Sequence, residues 1–276
     1  MDGTILTGRS QVAAITFDIW ETLLFEKDGA DSRRTACRCR NIAHTLNNFG
    51  IEISVEQVAD AMKETDASLL KIWERNKDVT HLDQLHLLIK HALESSTTLT
   101  KERINELSSA YISPFYEIPP YLNPNAREVL RSLKYQNKLI GLICNTGHTP
   151  GFAIKKFLER EGVAEYFQLM LFSDEVGIRK PDSKIFHLAA QRLYLKPHEI
   201  VHVGDNLRTD VWGAKKAGLK AIWLSSEEGH DRGAESDPTS LVSISRDISN
   251  LKNEETMPDK TISSISLLEK TIEEIE

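Results

Sequence analysis

Hydrophobic and polar positions form two different patterns along this chain. Short apolar runs rich in β-branched residues indicate buried strands, and they lie at residues 12–20, 139–144, 169–172, 200–203 and 221–224. After residue 120, apolar positions between the runs recur every three or four residues, which predicts helices over 124–135, 152–161, 183–193 and 208–217. Strands that alternate with helices form a parallel sheet covered on both faces. The predicted fold class is therefore α/β, with a Rossmann-like parallel sheet as its core.

Residues 26–118 carry a purely helical pattern. Helices are predicted over 31–49, 55–76, 82–94 and 101–111, separated by Gly50, Asp78 and the polar cluster 95–100. A helical bundle is thus expected as an insert between the first two strands. The predicted division is a two-segment α/β core (1–25 and 119–250), a helical insert (26–118) and a polar linker with a possible C-terminal helix (251–276).

The end of the chain is polar and contains weaker signals. Residues 241–244 predict a short last strand, and residues 252–261 have the composition of a linker. Ile262, Ile265, Leu268 and Ile272 have the spacing of one helix face, so residues 262–275 are predicted to form an amphipathic helix docked on the core.

Composition narrows the classes of partner and location. The 276 residues have a net charge of −7, and a mildly acidic chain is a poor general partner for nucleic acid or an anionic membrane surface. No apolar run approaches the roughly 20 residues of a membrane span, and the first residues lack the pattern of a secretory signal. The three cysteines are an odd, sparse set that favours a reducing compartment. We therefore expect a cytoplasmic protein whose partner is a small-molecule substrate.

Charged side chains follow the predicted strands at the point where each strand ends. Asp18 lies at the end of the first strand, Lys180 follows the third, and Asp205 and Asp210 follow the fourth. Ligands of open α/β sheets bind at this edge. Three carboxylates brought together there need cations, which Lys180 and a divalent ion such as Mg²⁺ can supply. With the hydroxyl and N–H donors of residues 144–147, these groups would form a phosphoryl site in which Asp18 is the nucleophile.

Four short motifs in this order resemble those of the haloacid dehalogenase-like hydrolases, in the subfamily with a helical cap between the first and second motifs. The matching segments are Phe17-Asp18-x-x-x-Thr22-Leu23, Cys144-Asn145, Lys180-Pro181 and Gly204-Asp205-x-x-x-x-Asp210. The resemblance covers about residues 12–24 and 119–225, and it implies that the helical insert is the cap.

The resemblance also implies a role for each matched position. Asp18 would be the nucleophile and Lys180 the residue that steadies it. The expected metal ligands for Mg²⁺ are Asp18, the backbone carbonyl of Trp20, Asp205 and Asp210. The expected phosphoryl-binding residues are Thr22, Cys144, Asn145 and Thr146.

Two positions depart from the family pattern. Cys144 stands where serine or threonine is usual, and a thiol is a weak hydrogen-bond donor. Trp20 stands where family phosphatases have a second aspartate, whose general acid–base catalysis contributes roughly 10²–10⁴-fold. Indole does not titrate. Glu21 or His148 could replace the missing acid, although an exposed glutamate and a histidine on a surface loop are the simpler interpretations.

Trp20 leaves three interpretations of the function open. The leading one is a Mg²⁺-dependent phosphatase that acts on a small phosphorylated metabolite through an aspartyl-phosphate on Asp18. The second is a 2-haloacid dehalogenase, since those enzymes carry tyrosine at the position of Trp20 and need neither metal nor leaving-group acid. The Asp205–Asp210 pair, which suits Mg²⁺, favours the phosphatase. The third is a weakly active or non-catalytic binding protein of the same family.

Two groups of residues are predicted to be structural. His202 lies within an apolar strand and is expected to be a hydrogen-bonded core histidine. Four arginines on the first helix of the insert could meet an anionic substrate but are expected on a solvated surface: Arg33, Arg34, Arg38 and Arg40.

Overall fold

Six parallel strands form the centre of the protein, in a computed structural model that describes residues 12–93, 99–225 and 257–276. The strands are β1 (Ala14–Phe17), β4 (Leu139–Cys144), β5 (Leu169–Phe172), β6 (Ile200–Gly204), β7 (Lys220–Leu224) and β8 (Lys260–Ile262). Their order across the sheet is β5-β4-β1-β6-β7-β8. The α/β fold class predicted from the sequence is confirmed.

β1 lies in the middle of the sheet and is buried along its whole length. It pairs in parallel with β4 on one side and β6 on the other, with Ala14 opposite both Leu139 and Ile200. Apolar clusters cover both faces of the sheet, as its continuous hydrophobic runs require. The helices on these faces are α5 (Ala126–Tyr135), α6 (Gly151–Arg160), α7 (Ser173–Val176), α8 (Ser183–Arg192) and α9 (Gly213–Lys216).

The turn after β6 differs from the predicted helix over 208–217. A π-helix spans Leu207–Trp212 and leads into the short α9. Such π-turns concentrate at functional sites, and this one carries Asp210. The Asn206 side chain begins it by accepting hydrogen bonds from the N–H groups of Arg208 and Thr209, at 2.9 and 3.0 Å.

The insert forms the predicted helices α1 (Ala30–Asn48), α2 (Val55–Trp73), α3 (His81–Ala92) and α4 (Lys101–Glu117). Ser54 and Gln57 form a capping box, and Thr80 and Asp83 form another. α4 continues six residues beyond its predicted end at 111, because Ile112 and Phe115 add to its buried face. The antiparallel pair β2 (Leu24–Phe25) and β3 (Tyr121–Leu122) joins the insert to the core. The exact domain boundaries stay a prediction.

The C-terminal segment is only partly the predicted helix. Lys260–Ile262 is the strand β8, which pairs in parallel with β7 and satisfies the edge of that strand. The helix α10 covers Leu268–Ile275 alone. The β-branched pair Thr261 and Ile262 explains why extended pairing prevails at the start of this segment. The predicted strand at 241–244 lies outside the described residues. Among the helices that are described, none is long and apolar enough to span a membrane.

Candidate active site

Three carboxylates converge at the carboxyl edge of the sheet. Asp18 directly follows β1, while Asp205 and Asp210 follow the neighbouring strand β6. One oxygen from each lies within 4.8 Å of the others. Asp18 is held there because its N–H donates to Val203 O at 2.9 Å, which extends the ladder between β1 and β6.

Lys180 bridges two of these carboxylates. Its Nζ lies 2.6 Å from Asp18 Oδ1 and 2.6 Å from Asp210 Oδ1, and its side chain is 1% exposed. The Asn145 side chain fixes the lysine by accepting from Lys180 N at 2.8 Å and donating to Lys180 O at 2.9 Å. Asn145 therefore acts through its amide on Lys180, a role that its sequence position did not reveal.

The pKa values of the two carboxylates bridged by Lys180 are shifted in opposite directions. Burial raises the pKa of Asp18 to about 6, because the attraction of Lys180 does not offset desolvation and Asp210 adds repulsion. At Asp210, Lys180 and a hydrogen bond from His202 outweigh burial and hold the pKa below its usual value. One lysine thus neutralises one of the two carboxylates, and a further cation would stabilise the ionised form of Asp18.

Asp210 is placed by several groups that leave it little freedom. Asn206 N donates to its Oδ2 at 3.0 Å, and His202 Nε2 lies 3.3 Å from its Oδ1. A Cβ at Gly204 would lie 2.4 Å from Asp210 Cγ, so only glycine fits beside it. His202 is buried as predicted, with Nδ1 3.0 Å from Thr16 Oγ1, and it also reaches the site.

The donor set suits a hard divalent cation. Carboxylate oxygens are the ligands that Mg²⁺ prefers, and Asp18, Asp205 and Asp210 supply them from two adjacent strand ends. Trp20 lies two residues beyond Asp18, and its half-buried indole packs against the main apolar cluster. The coordination of a metal by the Trp20 carbonyl stays a prediction.

The predicted phosphoryl-binding residues have different surroundings. Thr22 Oγ1 is buried without a hydrogen-bond partner among the described residues, and its contact with a phosphoryl group stays a prediction. Burial raises the pKa of the Cys144 thiol well above its usual value, so this residue stays neutral at the end of β4. Thr146 already has partners, since its N–H donates to Ser173 Oγ at 2.8 Å and its hydroxyl lies 3.1 Å from the same atom, and its phosphoryl-binding role stays a prediction.

The structure also shows the surroundings of His148 and Glu21, the two candidate replacements for the missing acid. His148 is not the surface-loop histidine that was expected, because it packs against the insert. Its Nδ1 lies 2.8 Å from the Tyr111 hydroxyl and its Nε2 lies 3.0 Å from Asp66 Oδ1. Glu21 has a left-handed backbone with φ 54°, in the turn where its N–H donates to Leu24 O. Both ring nitrogens of His148 thus face side chains of the insert.

The expectation of surface arginines is wrong for Arg34 and Arg38. Both are buried, at 3% and 2% exposure. Arg34 pairs with Glu26 and donates from Nε to Ile118 O at 2.8 Å, across the two chain segments that join insert and core. Arg38 donates to Tyr111 O at 2.9 Å, and its guanidinium lies 4.8 Å from the Tyr111 ring centroid. These cations serve packing between α1 and α4.

Sequence comparison identifies relatives of this chain. A profile of the haloacid dehalogenase-like hydrolases matches residues 1–218. The glyceraldehyde 3-phosphate phosphatase of Methanopyrus kandleri is 27% identical over 218 residues, covering 76% of this chain and 83% of that protein. The pyrimidine 5'-nucleotidase YjjG of Escherichia coli is 30% identical, with coverage of 66% and 78%. The phosphoserine phosphatase of Thermus thermophilus is 36% identical over 123 residues, where the match spans 45% of this chain and 47% of the relative.

Solved structures agree on the fold. A 2-haloacid dehalogenase from Pseudomonas syringae superposes with a TM-score of 0.65 at 22% identity, covering 96% of this chain and all of that one. A HAD phosphatase from Thermococcus onnurineus gives 0.55 at 23% identity, with coverage of 94% and 97%. The profile match extends over more than half of the sequence and contains all four strand-end motifs. The chain belongs to the haloacid dehalogenase-like hydrolases.

Proposed function

We propose that this protein is a Mg²⁺-dependent phosphatase that hydrolyses a small phosphorylated metabolite through an aspartyl-phosphate on Asp18. The observation that carries the proposal is the convergence of three carboxylates within 4.8 Å around Lys180. Relatives named as phosphatases and a 5'-nucleotidase support phosphate-ester hydrolysis. The three unpaired thiols support a reducing compartment, and we propose the cytoplasm.

The chain's own residues account for two displacement steps. An Asp18 oxygen attacks phosphorus, the bond from phosphorus to the ester oxygen breaks, and the leaving oxygen takes a proton from solvent. Water then attacks the phosphorus of the acyl phosphate and releases inorganic phosphate and the Asp18 carboxylate. Lys180 holds the attacking carboxylate at 2.6 Å and offsets the charge of the phosphoryl oxygens. Bound Mg²⁺ supplies electrostatic stabilisation of the phosphoryl charge.

Trp20 shapes the choice of substrate. Trp20, whose indole does not titrate, stands where family phosphatases have the acid that protonates the leaving oxygen, and both ring nitrogens of His148 face the insert. Esters whose leaving groups are stable as anions, such as acyl and aryl phosphates, should therefore lose least from the missing acid.

The alternative is displacement of halide from a haloacid. The carbon–halogen bond would break without a proton donor, which suits Trp20. The cluster of Asp205 and Asp210 beside the nucleophile argues against it, because three buried or half-buried carboxylates with one lysine favour a site that binds a further cation.

The test is a substrate screen with two readouts. Purified protein is incubated with phosphate monoesters and with 2-haloacids, each with Mg²⁺ and with chelator. We expect phosphate release that chelator abolishes and that Asp18→Asn lowers by at least about 10³-fold, the usual scale for loss of a covalent nucleophile.

Three other results of this screen would contradict the proposal in different ways. Halide release that is insensitive to chelator would establish the dehalogenase instead. Absence of both products, together with an upward Tm shift in Mg²⁺, would identify a binding protein. Phosphate release that Asp18→Asn leaves unchanged would remove Asp18 as the nucleophile.

A further inference from the structure

One carboxylate of the helical insert enters the core beside the active-site loops. Asp78 lies between α2 and α3, and its side chain is 0% exposed. The surrounding residues, which we call the latch, come from the insert (Trp73 and Asp78) and from the core (Thr146, Ser173 and Arg179). In the sequence, Asp78 only marks a break between helices, because its partners in the core are 68 to 101 residues away.

Asp78 binds donors from both parts of the protein. Its Oδ1 accepts from Trp73 Nε1 at 2.8 Å. Its Oδ2 accepts from Ser173 Oγ at 2.5 Å and from Arg179 Nη1 at 2.5 Å, with Thr146 Oγ1 at 3.4 Å. Both carboxylate oxygens of Asp78 therefore accept hydrogen bonds, and together these bonds hold the insert against two loops of the core.

Arg179 completes the latch. Its Nη1 also donates to Thr146 O at 2.5 Å, and its guanidinium lies 4.2 Å from the Trp73 ring centroid. Backbone hydrogen bonds add to the contact, since Asp78 N donates to Gly177 O at 3.3 Å and Arg179 N donates to Asn76 O at 3.1 Å. The planar, charged side chain of Arg179 thus packs on an aromatic ring of the insert, and its Nη1 donates to both the insert and the core.

Both ends of the latch adjoin residues of the candidate active site. Arg179 precedes Lys180, the residue that bridges Asp18 and Asp210. Thr146 follows Asn145, whose amide binds both backbone groups of Lys180. The loops that present the lysine and its support are therefore tied to each other through a carboxylate that belongs to the insert.

We propose that Asp78 is a positioning residue for the reaction. It holds the loops after β4 and β5 so that Lys180 reaches its place only while the insert is docked. The proposal rests on the proposed phosphatase function for its kinetic consequence, but its structural consequence can be measured without turnover. Asp78 touches neither substrate nor reacting atoms, and it acts through Arg179 and Thr146.

The principal test compares Asp78→Asn with Asp60→Asn. Asparagine keeps the shape of the side chain but removes the charge that pairs with buried Arg179. We expect kcat to fall about 10- to 100-fold with KM changed less than about threefold, because a displacement near 1 Å costs rates of this order. Asp60 is an exposed carboxylate on α2, paired with Lys63, and its variant should match the wild type.

A second substitution separates positioning from general stability. Asp78→Asn leaves Arg179 buried without a counter-charge, so adding Arg179→Met should restore much of the lost Tm. Positioning predicts that kcat stays low in this double variant, because Thr146 and the Lys180 loop remain untied. Recovery of kcat together with Tm would overturn the proposal.

Hydrogen exchange supplies the readout that does not depend on activity. Asp78→Asn should speed exchange in peptides covering 144–149 and 177–182, while peptides covering β6 stay protected. Unchanged exchange in both loops would overturn the latch whether or not the protein releases phosphate. If exchange changes as expected and no substrate is hydrolysed by the wild type, the latch stands and the phosphatase function fails.

Discussion

At the end of β1, one lysine stands between two carboxylates. Lys180 is within 2.6 Å of Asp18 and of Asp210, so the trio carries one net negative charge when both acids are ionised. Burial makes that charge costly, and the pKa of Asp18 is raised to about 6. A further cation beside Asp18 would stabilise its ionised form. Two residues away, Trp20 removes the usual acid but leaves this charge arrangement intact.

Ionised Asp18 should lower the stability of the protein when no cation is bound beside it. The pKa of Asp18 is raised above its unfolded value, so the stability linked to its proton is present below about pH 4 and lost as pH rises through about 6. With chelator at pH 8, Asp18→Asn should therefore raise the free energy of unfolding by about 1–3 kcal/mol, measured as a higher Tm. The gain should shrink as pH falls from 6 to 4. A lower Tm at pH 8 would contradict the charge argument.

Substitution of Trp20 tests whether the lack of an acid at this position limits turnover. We expect Trp20→Asp to raise turnover of alkyl phosphates more than that of aryl phosphates, because only the poor leaving groups need a proton. The measurement is kcat for a matched alkyl and aryl pair, with Trp20→Asn as the control that lacks a titratable group. Equal changes for both substrates, or a loss for both, would argue against the acid's absence as the limiting feature.

At the scale of elements, the C-terminal segment completes the sheet. β8 pairs with β7, and α10 with the turn before it buries Ile265, Leu268 and Ile272 against the main core. The hydrophobic spacing that predicted one long helix is therefore shared by a strand, a 3₁₀ turn and a short helix. Burial, and not helical register, is the common property of these positions.

Substitutions of two adjacent leucines would show how much the docking of the C-terminal segment contributes to the free energy of unfolding. Leu268 is fully buried, whereas Leu267 is 46% exposed. Leu268→Ala should lower the free energy of unfolding by about 2–5 kcal/mol through the lost contacts and the cavity, and Leu267→Ala should change it by less than about 0.5 kcal/mol. Chemical denaturation of both variants gives the comparison. Similar effects at the two positions would show that the segment is not docked as described.

At the scale of the whole molecule, one apolar cluster extends from the sheet into the insert. It contains Phe17 and Leu142 of the core together with Leu46 and Leu88 of the insert. The latch adds polar ties between the same two parts, and the Arg34–Glu26 pair fixes the start of the insert. The insert therefore adjoins the candidate site through packing, charge and backbone contacts at once.

The three cysteines report on the integrity of this packing. All are free and buried, and burial raises the pKa of each thiol: Cys37, Cys39 and Cys144. Because the thiolate is the reactive form, the native protein should resist a thiol reagent at pH 8. After unfolding in guanidinium it should bind three equivalents of the reagent per chain. Rapid labelling of the native protein would contradict the burial.

Strand-end placement made much of the candidate site predictable. Parallel strands bring their carboxyl ends to one edge, so Asp18, Lys180 and Asp210 could be expected to meet before any coordinate was known. The same reasoning predicts a phosphoryl-binding role for Thr146, and the structure shows that its hydroxyl already contacts Ser173 and Asp78. A strand end specifies a neighbourhood, and the direction of a side chain within it depends on what else is packed there.

Local pattern alone was enough for the fold class, the helices of the insert and the set of strand-end charges. These features depend on residues a few positions apart, or on the single rule that parallel strands share an edge. The burial of Arg34 and Arg38, the reach of His202 to Asp210, the strand at Lys260–Ile262 and the latch at Asp78 were settled only in the folded chain. Each depends on partners tens of residues away or, for His202 and Asp210, on two different elements that the fold brings together, and periodicity does not encode such contacts.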